Sequence, residues 1–140
     1  MATASLNTTL DQIHSLLAAK GYSVTEAGDG VLRIKELSSG ITLQAVLAGE
    51  ILFLSLVCMS VKDASLTPLV LRRMLASDNG ISTSHFQLYA TGGGDVAVTL
   101  NNFCKLQEMG PDDEDDILSC VSFLLADVVH AKDLLGADLK

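Results

Sequence analysis

Cysteine and histidine are the residues of this chain that could do nucleophilic or metal chemistry, and there are three of each. The cysteines (Cys58, Cys104 and Cys120) are odd in number and far apart. They therefore form neither a disulfide framework nor the C-x-x-C pair of a zinc or redox site. Free cysteine behaves as a small hydrophobic residue, so buried, reduced thiols are the expected state.

The histidines (His14, His85 and His130) have no paired spacing that predicts a metal site or a catalytic group. Ser84 and His85 are adjacent, but neighbouring residues of a strand point to opposite faces, which is unsuitable for a nucleophile and its base. A small enzyme or ligand-binding domain with an unrecognised pocket stays open as the alternative. It would require His85, Cys104 and an acidic residue to converge in one cleft.

Two other motifs could bind small ligands, and each has a simpler interpretation. Asp112 to Asp116 are five consecutive acidic residues, but they lack the alternating ligands and central glycine of a calcium loop. Gly92 to Gly94 are followed by no Gly-Lys-Ser/Thr, so they predict a hairpin tip and not a phosphate loop. The sequence therefore predicts no catalytic residue, no metal site and no cofactor.

Charge is concentrated at the end of the chain. The 140 residues carry a net charge of -8, of which the first 107 contribute -1 and the remaining residues -7. This balance disfavours binding to nucleic acid or to anionic lipid. Residues 1–11 show no signal-peptide pattern, and the longest apolar stretch, Ile51 to Met59, is about half of what a membrane-spanning helix needs. We expect a single cytoplasmic domain over residues 1–140, with no membrane insertion.

The first half of the chain is predicted to form a helix followed by strands. Thr9 to Gln12 match a capping box, which predicts a helix over residues 9–20 that stops at Gly21. Turn residues then separate four segments with strand periodicity. The last of them, Ile51 to Ser60, is apolar on both faces, which predicts a central strand covered on both sides. The four predicted strands cover residues 22–26, 31–37, 41–47 and 51–60.

The second half predicts a helix, a hairpin and a long helix. Thr67-Pro68 is typical of a helix start, and Asp78-Asn79-Gly80 of its end. Strands over residues 83–91 and 95–101 flank the glycine tip, and a last helix runs from Pro111 to Gly136. The fold class is therefore α+β, an antiparallel sheet with helix-β-β-β-β-helix-β-β-helix order.

Two helices carry apolar residues beyond those needed for one packed face. The outer side of the second helix, with Leu69, Arg72, Arg73 and Ala76, combines apolar side chains with the most basic spot of the chain. The apolar stripe of the last helix, from Ile117 to Leu135, is also wider than a helix with one solvent-facing side needs. Exposed apolar patches commonly mark protein interfaces, so these four residues are the candidate dimer or partner interface. The alternative is that both helices simply pack on the sheet.

The layout resembles the type III secretion chaperone-like superfamily, which includes the secretion chaperones and the YbjN-like proteins. Residues Val70 to Asn79 look like that superfamily's leucine-rich second helix, and the strand with Phe86 to Tyr89, a glycine turn and an apolar strand follow as in the family. A weaker resemblance is to the YjfI-like proteins, whose last helix has a similar acidic start. The resemblance implies a homodimer without enzymatic activity that binds an extended segment of another protein, by strand addition or groove packing.

Overall fold

The computed structural model describes residues 2–136, and the side chains from residue 9 onward. Its elements are the helices α1, α2 and α3, a short 3-10 turn and six strands. In chain order they are α1 (Ala2–Ala19), β1 (Ser23–Gly28), β2 (Val31–Lys35), β3 (Thr42–Ala48), β4 (Ile51–Lys62), the 3-10 turn (Asp63–Ser65), α2 (Pro68–Leu75), β5 (His85–Gly92), β6 (Asp95–Lys105) and α3 (Pro111–Gly136).

The strands form one antiparallel sheet in the order β1-β2-β3-β4-β6-β5. Consecutive strands β1 to β4 make a meander because their connections are too short for crossovers. The predicted α+β class and element order are confirmed. The chain divides into two compact units, which we call the first unit (Met1–Ser55 and Phe103–Val121) and the second unit (Leu56–Asn102 and Ser122–Lys140).

Helix α1 ends where the sequence predicts and begins earlier than predicted. The amide of Tyr22 donates to the carbonyl of Leu17 and that of Gly21 to Ala18, while Gly21 has a φ of +95°. This is a Schellman C-cap, which glycine favours because it has no Cβ. The predicted capping box at Thr9 is wrong, because the helix already begins at Ala2.

The strands of the first unit alternate between a buried and an exposed face. Leu32 pairs with Ala45, and Ala45 with Leu54, in a row of fully buried residues. The intervening residues of β2 and β3 are exposed or half-buried. This is the period of two expected of a sheet with one packed face. The α1 residues Leu10, Ile13 and Leu17 are buried as well.

Strand β4 differs from its prediction. Leu52, Leu54 and Leu56 are buried, whereas Phe53 is 45% exposed and Val57 is 59% exposed. The expectation of a strand covered on both faces is therefore wrong. Packing covers one face only, and an apolar run cannot by itself distinguish a buried second face from an exposed one.

In the second unit, α2 packs through Val70 and Met74. They form a cluster with Val98 of β6 and Leu135 of α3, surrounded by partly buried apolar residues. The β5-β6 hairpin turns through Gly92, Gly93 and Gly94, all with positive φ. The Asp63 amide donates to the Gly94 carbonyl at 2.9 Å, which holds this tip.

Helix α3 has the predicted bounds and a buried stripe at spacings of three and four. The stripe comprises Ile117, Val121, Leu124, Val128, Ala131 and Leu135. Two further apolar residues of this helix, Phe123 and Val129, are 46% and 55% exposed. Within residues 2–136, the helices are all too short or too polar to cross a bilayer.

Candidate interaction surfaces

Helix α2 is fixed at its start by a local cap and on one side by packing. Thr67 has an extended backbone, and its Oγ1 accepts a hydrogen bond from the Val70 amide at 3.4 Å. Pro68 occupies the first helical position, where its missing N–H has no cost. Val70 and Met74 are each 3% exposed and hold the helix on the second unit.

The opposite side of α2 faces solvent. Leu69 is 59% exposed and Leu75 is 78% exposed, with Arg72 and Arg73 exposed between them. Ala76 is half-buried and follows the last helical residue. We call these five residues the α2 surface; it contains the four residues predicted from sequence. The helical spacing of Val70, Leu71, Met74 and Leu75 predicts one apolar stripe that packs on the sheet. For Leu75 that prediction is wrong, because the helix ends at this residue and its side chain is mostly uncovered.

The loop after α2 is held by side-chain hydrogen bonds. Asn79 Nδ2 donates to the Met74 carbonyl at 2.6 Å, and Asn79 Oδ1 accepts from the Ile81 amide at 2.9 Å. One side chain therefore satisfies an unpaired carbonyl of the last helical turn and orders the residues that follow.

Asp127 of α3 anchors the next three residues of that loop. Its Oδ1 accepts from the amide and hydroxyl of Ser82 at 3.1 and 3.0 Å. Its Oδ2 accepts from the amide of Thr83 at 3.4 Å and from the amide and hydroxyl of Ser84 at 3.3 and 2.7 Å. The residue is 1% exposed. Burial alone would raise the pKa of this carboxyl, but the hydrogen bonds from Ser82, Ser84 and Thr83 outweigh burial and lower it.

Sequence reasoning missed Asp127, although a signal was available. The residue lies three positions after Leu124 and four before Ala131, within the buried stripe of α3. A charged residue in such a stripe needs partners, because burying an unpaired carboxylate is costly. The Ser-Thr-Ser segment at 82–84 offers a dense set of donors.

The first unit carries a second exposed surface, on the solvent-facing side of its strands. Val31 pairs with Val46, and Val46 with Phe53. The ring of Phe53 lies 6.2 Å from that of Phe103, which is 59% exposed. These four residues form a continuous line across β2, β3, β4 and β6, which we call the apolar row. The sequence did not predict it, because the Phe53–Phe103 contact joins residues far apart in the chain.

Cations flank opposite ends of the apolar row. Arg33 and Lys35 follow Val31 on β2 at intervals of two, so they face the same side. Lys105 follows Phe103 on β6 in the same way. Arg33 thus lies beside the Val31 end of the row and Lys105 beside its Phe103 end. Because β2 and β6 run in opposite directions, the two cations are on opposite sides of the row. All three cations are exposed, and among the described residues none lies within 4 Å of a carboxylate.

Two thiols of the first unit contact each other. Cys104 is buried on β6 and Cys120 is partly exposed on α3. A hydrogen bond with Cys120, together with burial and the charges of Asp116 and Asp113, raises the pKa of Cys104. The same hydrogen bond lowers the pKa of Cys120. In the second unit, burial raises the pKa of Cys58 to about 11. Of these three thiols, Cys120 is the one whose pKa is shifted toward the thiolate form.

The acidic run begins α3 as predicted, at the end of the helix where the helix dipole stabilises negative charge. Asp113 differs from the other four because it is 2% exposed. Its Oδ2 accepts a hydrogen bond from the Gln107 amide. That bond closes the turn containing Glu108 and Met109, whose φ values of +55° and +56° are unusual for residues with a Cβ.

Three of the side chains considered for catalysis or metal binding, Ser84, His85 and His14, are hydrogen-bonded to other groups. Ser84 donates to Asp127, while His85 Nε2 lies 3.3 Å from Gln87 Nε2. His14 Nε2 lies 3.0 Å from the Val24 carbonyl. In the part of the chain that the structure describes, no three His, Cys, Asp or Glu side chains are grouped to hold a metal ion.

Comparison with known proteins identifies a fold. No protein-family model matches the chain, and no curated protein matches it. Among solved structures, the chain is similar to the crystal structure of YbjN from E. coli, a protein proposed to regulate transcription. The TM-score is 0.65 at 12% sequence identity, over 89% of this chain and 91% of that one. The fold is therefore YbjN-like.

Proposed function

We propose that this chain is a non-enzymatic, chaperone- or adaptor-like protein that acts as a homodimer in the cytoplasm and binds a segment of a partner protein. The observation that carries the proposal is the exposure of Leu69 and Leu75 on a helix fixed by Thr67, Asn79 and the packing of Met74. A rigid, amphipathic element with large apolar side chains in water favours association, because covering them removes apolar surface from water.

The α2 surface suits a two-fold symmetric interface. In such an interface each copy presents the same patch, so Leu69 and Leu75 can meet their counterparts in a dry centre. Arg73 lies at the edge of this patch, whereas Arg72 lies between the two leucines, so its aliphatic stem would pack beside them while its guanidinium extends to water at the edge of the interface. Leu69, Arg72, Arg73 and Ala76 remain our proposed interface residues, with Leu75 added from its exposure.

Light scattering coupled to size exclusion tests the proposal. We expect the wild type to elute with twice the 14.8 kDa mass of the chain. The double variant Leu69→Glu/Leu75→Glu should elute as a monomer with an unchanged circular dichroism spectrum, because four carboxylates would meet in the interface. Val129→Glu is the matched control, since it adds a charge at an exposed apolar position of α3 and should leave the dimer intact. A dimer that survives the double variant would refute this surface, and a wild-type monomer would refute the dimer.

A further inference from the structure

The apolar row has the composition of a binding surface. Phe53 and Phe103 are 45% and 59% exposed although their rings contact each other. Val31 and Val46 extend the row to two more strands and are half-buried. Aromatic residues are enriched at the centres of protein interfaces, where they become covered.

The charge around the row is opposite to that of the whole chain. Arg33, Lys35 and Lys105 are three of nine basic residues in a chain of net charge -8. Strands β2 and β3, and the parts of β4 and β6 that belong to the first unit, contain no acidic residue. The strands that carry the row are therefore basic although the chain as a whole is acidic, and this surface complements an acidic ligand.

We propose that the apolar row binds an extended segment of a partner protein in which apolar residues are flanked by aspartate or glutamate. The apolar side chains cover Phe53 and Phe103, and the acidic residues at the two ends pair with Arg33 and Lys105. This inference rests on the proposed function and names the site and the chemistry of the bound segment.

The dimensions of the row set the length of that segment. Four neighbouring strands at about 4.8 Å spacing place the outer members of the row about 14 Å apart. An extended chain advances about 3.3 Å per residue, so the row accommodates roughly four to five residues. The acidic residues then lie immediately outside this apolar stretch, near the cations that flank its two ends.

A single-stranded nucleic acid is the competing ligand, because bases stack on exposed aromatic residues beside cations. The net charge of -8 opposes both anionic ligands, but a nucleic acid carries a phosphate at every nucleotide, including those over Phe53 and Phe103, whereas the proposed segment carries charge only at its ends, next to Arg33 and Lys105. The protein segment is therefore the ligand that the charge distribution favours.

Fluorescence anisotropy with three labelled probes tests the proposal. The first probe is a peptide with four central apolar residues flanked on each side by two aspartates. The second replaces the aspartates with lysines, and the third is an oligo-dT single strand. We expect the aspartate peptide to bind most tightly and its affinity to fall as salt is raised. Equal binding of the two peptides, tighter binding of oligo-dT, or no binding of the aspartate peptide would each overturn the proposal.

Variants locate the site. Phe53→Thr/Phe103→Thr keeps strand-forming residues at both positions. It should lower the affinity for the aspartate peptide by about tenfold or more. Phe123→Gln, at a similarly exposed phenylalanine of α3, is the control and should not change binding. Arg33→Glu/Lys105→Glu should reverse the preference toward the lysine peptide. Unchanged affinities in both double variants, with circular dichroism showing folded proteins, would contradict the site.

The test separates this inference from the dimer. Leu69→Glu/Leu75→Glu changes the α2 surface only, so we expect that variant to bind the aspartate peptide as the wild type does. If the wild type is a monomer, the dimer is refuted and the peptide titration still decides the apolar row. If the dimer is found and the peptide fails to bind, the row alone is refuted.

Discussion

Replacing Asp127 by alanine should destabilise the protein by about 3 kcal/mol. Two hydroxyl donors and one amide lie within 3.1 Å of the carboxylate, while the other two amides are 3.3 and 3.4 Å away and contribute less. Hydrogen bonds to a charged group contribute about 1.5 kcal/mol or more each, or about 4.5 kcal/mol for the three short ones. Alanine does not have the cost of burying a charged carboxylate, and this difference offsets about 1 to 2 kcal/mol of the loss.

Urea or thermal unfolding measures this effect. For a chain of this length, about 3 kcal/mol corresponds to a fall in melting temperature of roughly 6 to 12 °C. Asp133→Ala is the matched control, because Asp133 is an exposed aspartate on the same helix, and it should change stability by less than about 0.5 kcal/mol. A loss below about 1 kcal/mol for Asp127→Ala would show that the carboxylate does not hold the loop at 82–84.

The effect also depends on pH, with a defined sign. Hydrogen bonds lower the pKa of folded Asp127 below its ordinary value of 3.8, so the charged form stabilises the folded state. That contribution is complete above the unfolded pKa and is lost as the pH falls through the lower, folded pKa. The stability difference between the wild type and Asp127→Asn should therefore be largest near neutral pH and shrink below about pH 4. A difference that is constant from pH 7 to pH 3 would refute the electrostatic part of the reasoning.

Three further predictions follow from the other side-chain contacts. At pH 8, Cys120 should react with iodoacetamide before Cys58, because their pKa values are shifted in opposite directions and Cys58 is buried; equal modification in a peptide map would contradict this. Asn79→Ala should cost about 1 to 2 kcal/mol in chemical unfolding, because the Met74 carbonyl loses its donor, and a neutral result would show that water replaces it. Asp113→Ala should cost more than Asp112→Ala, since only Asp113 is buried and bonded across the turn before α3; equal losses in thermal melts would contradict this.

Local signals predicted the elements of the fold. Pro111 and Gly136 mark both ends of α3, and Thr67 with Pro68 marks the start of α2, because capping depends on residues close in the chain. The fold class and the order of elements along the chain followed from alternation and short connections, whereas the position of β6 between β4 and β5 in the sheet was not predicted. The start of α1 was misplaced because Thr9 matches a capping pattern that lies inside the helix.

The candidate surfaces were only partly predictable. Leu69, Arg72 and Arg73 are exposed as the helical period indicates, since spacing along one helix determines which side they share. The contact of Phe53 with Phe103 and the burial of Asp127 depend on strand pairing and packing between residues distant in sequence. Hydrophobic periodicity describes one element at a time, so it cannot supply those contacts.

Sedimentation equilibrium of the wild-type protein at several micromolar concentrations tests the central claim most directly. The account predicts one species with twice the mass of the 14.8 kDa chain, which dissociates to monomers in Leu69→Glu/Leu75→Glu. A wild type that sediments with the mass of a single chain at every concentration would contradict it.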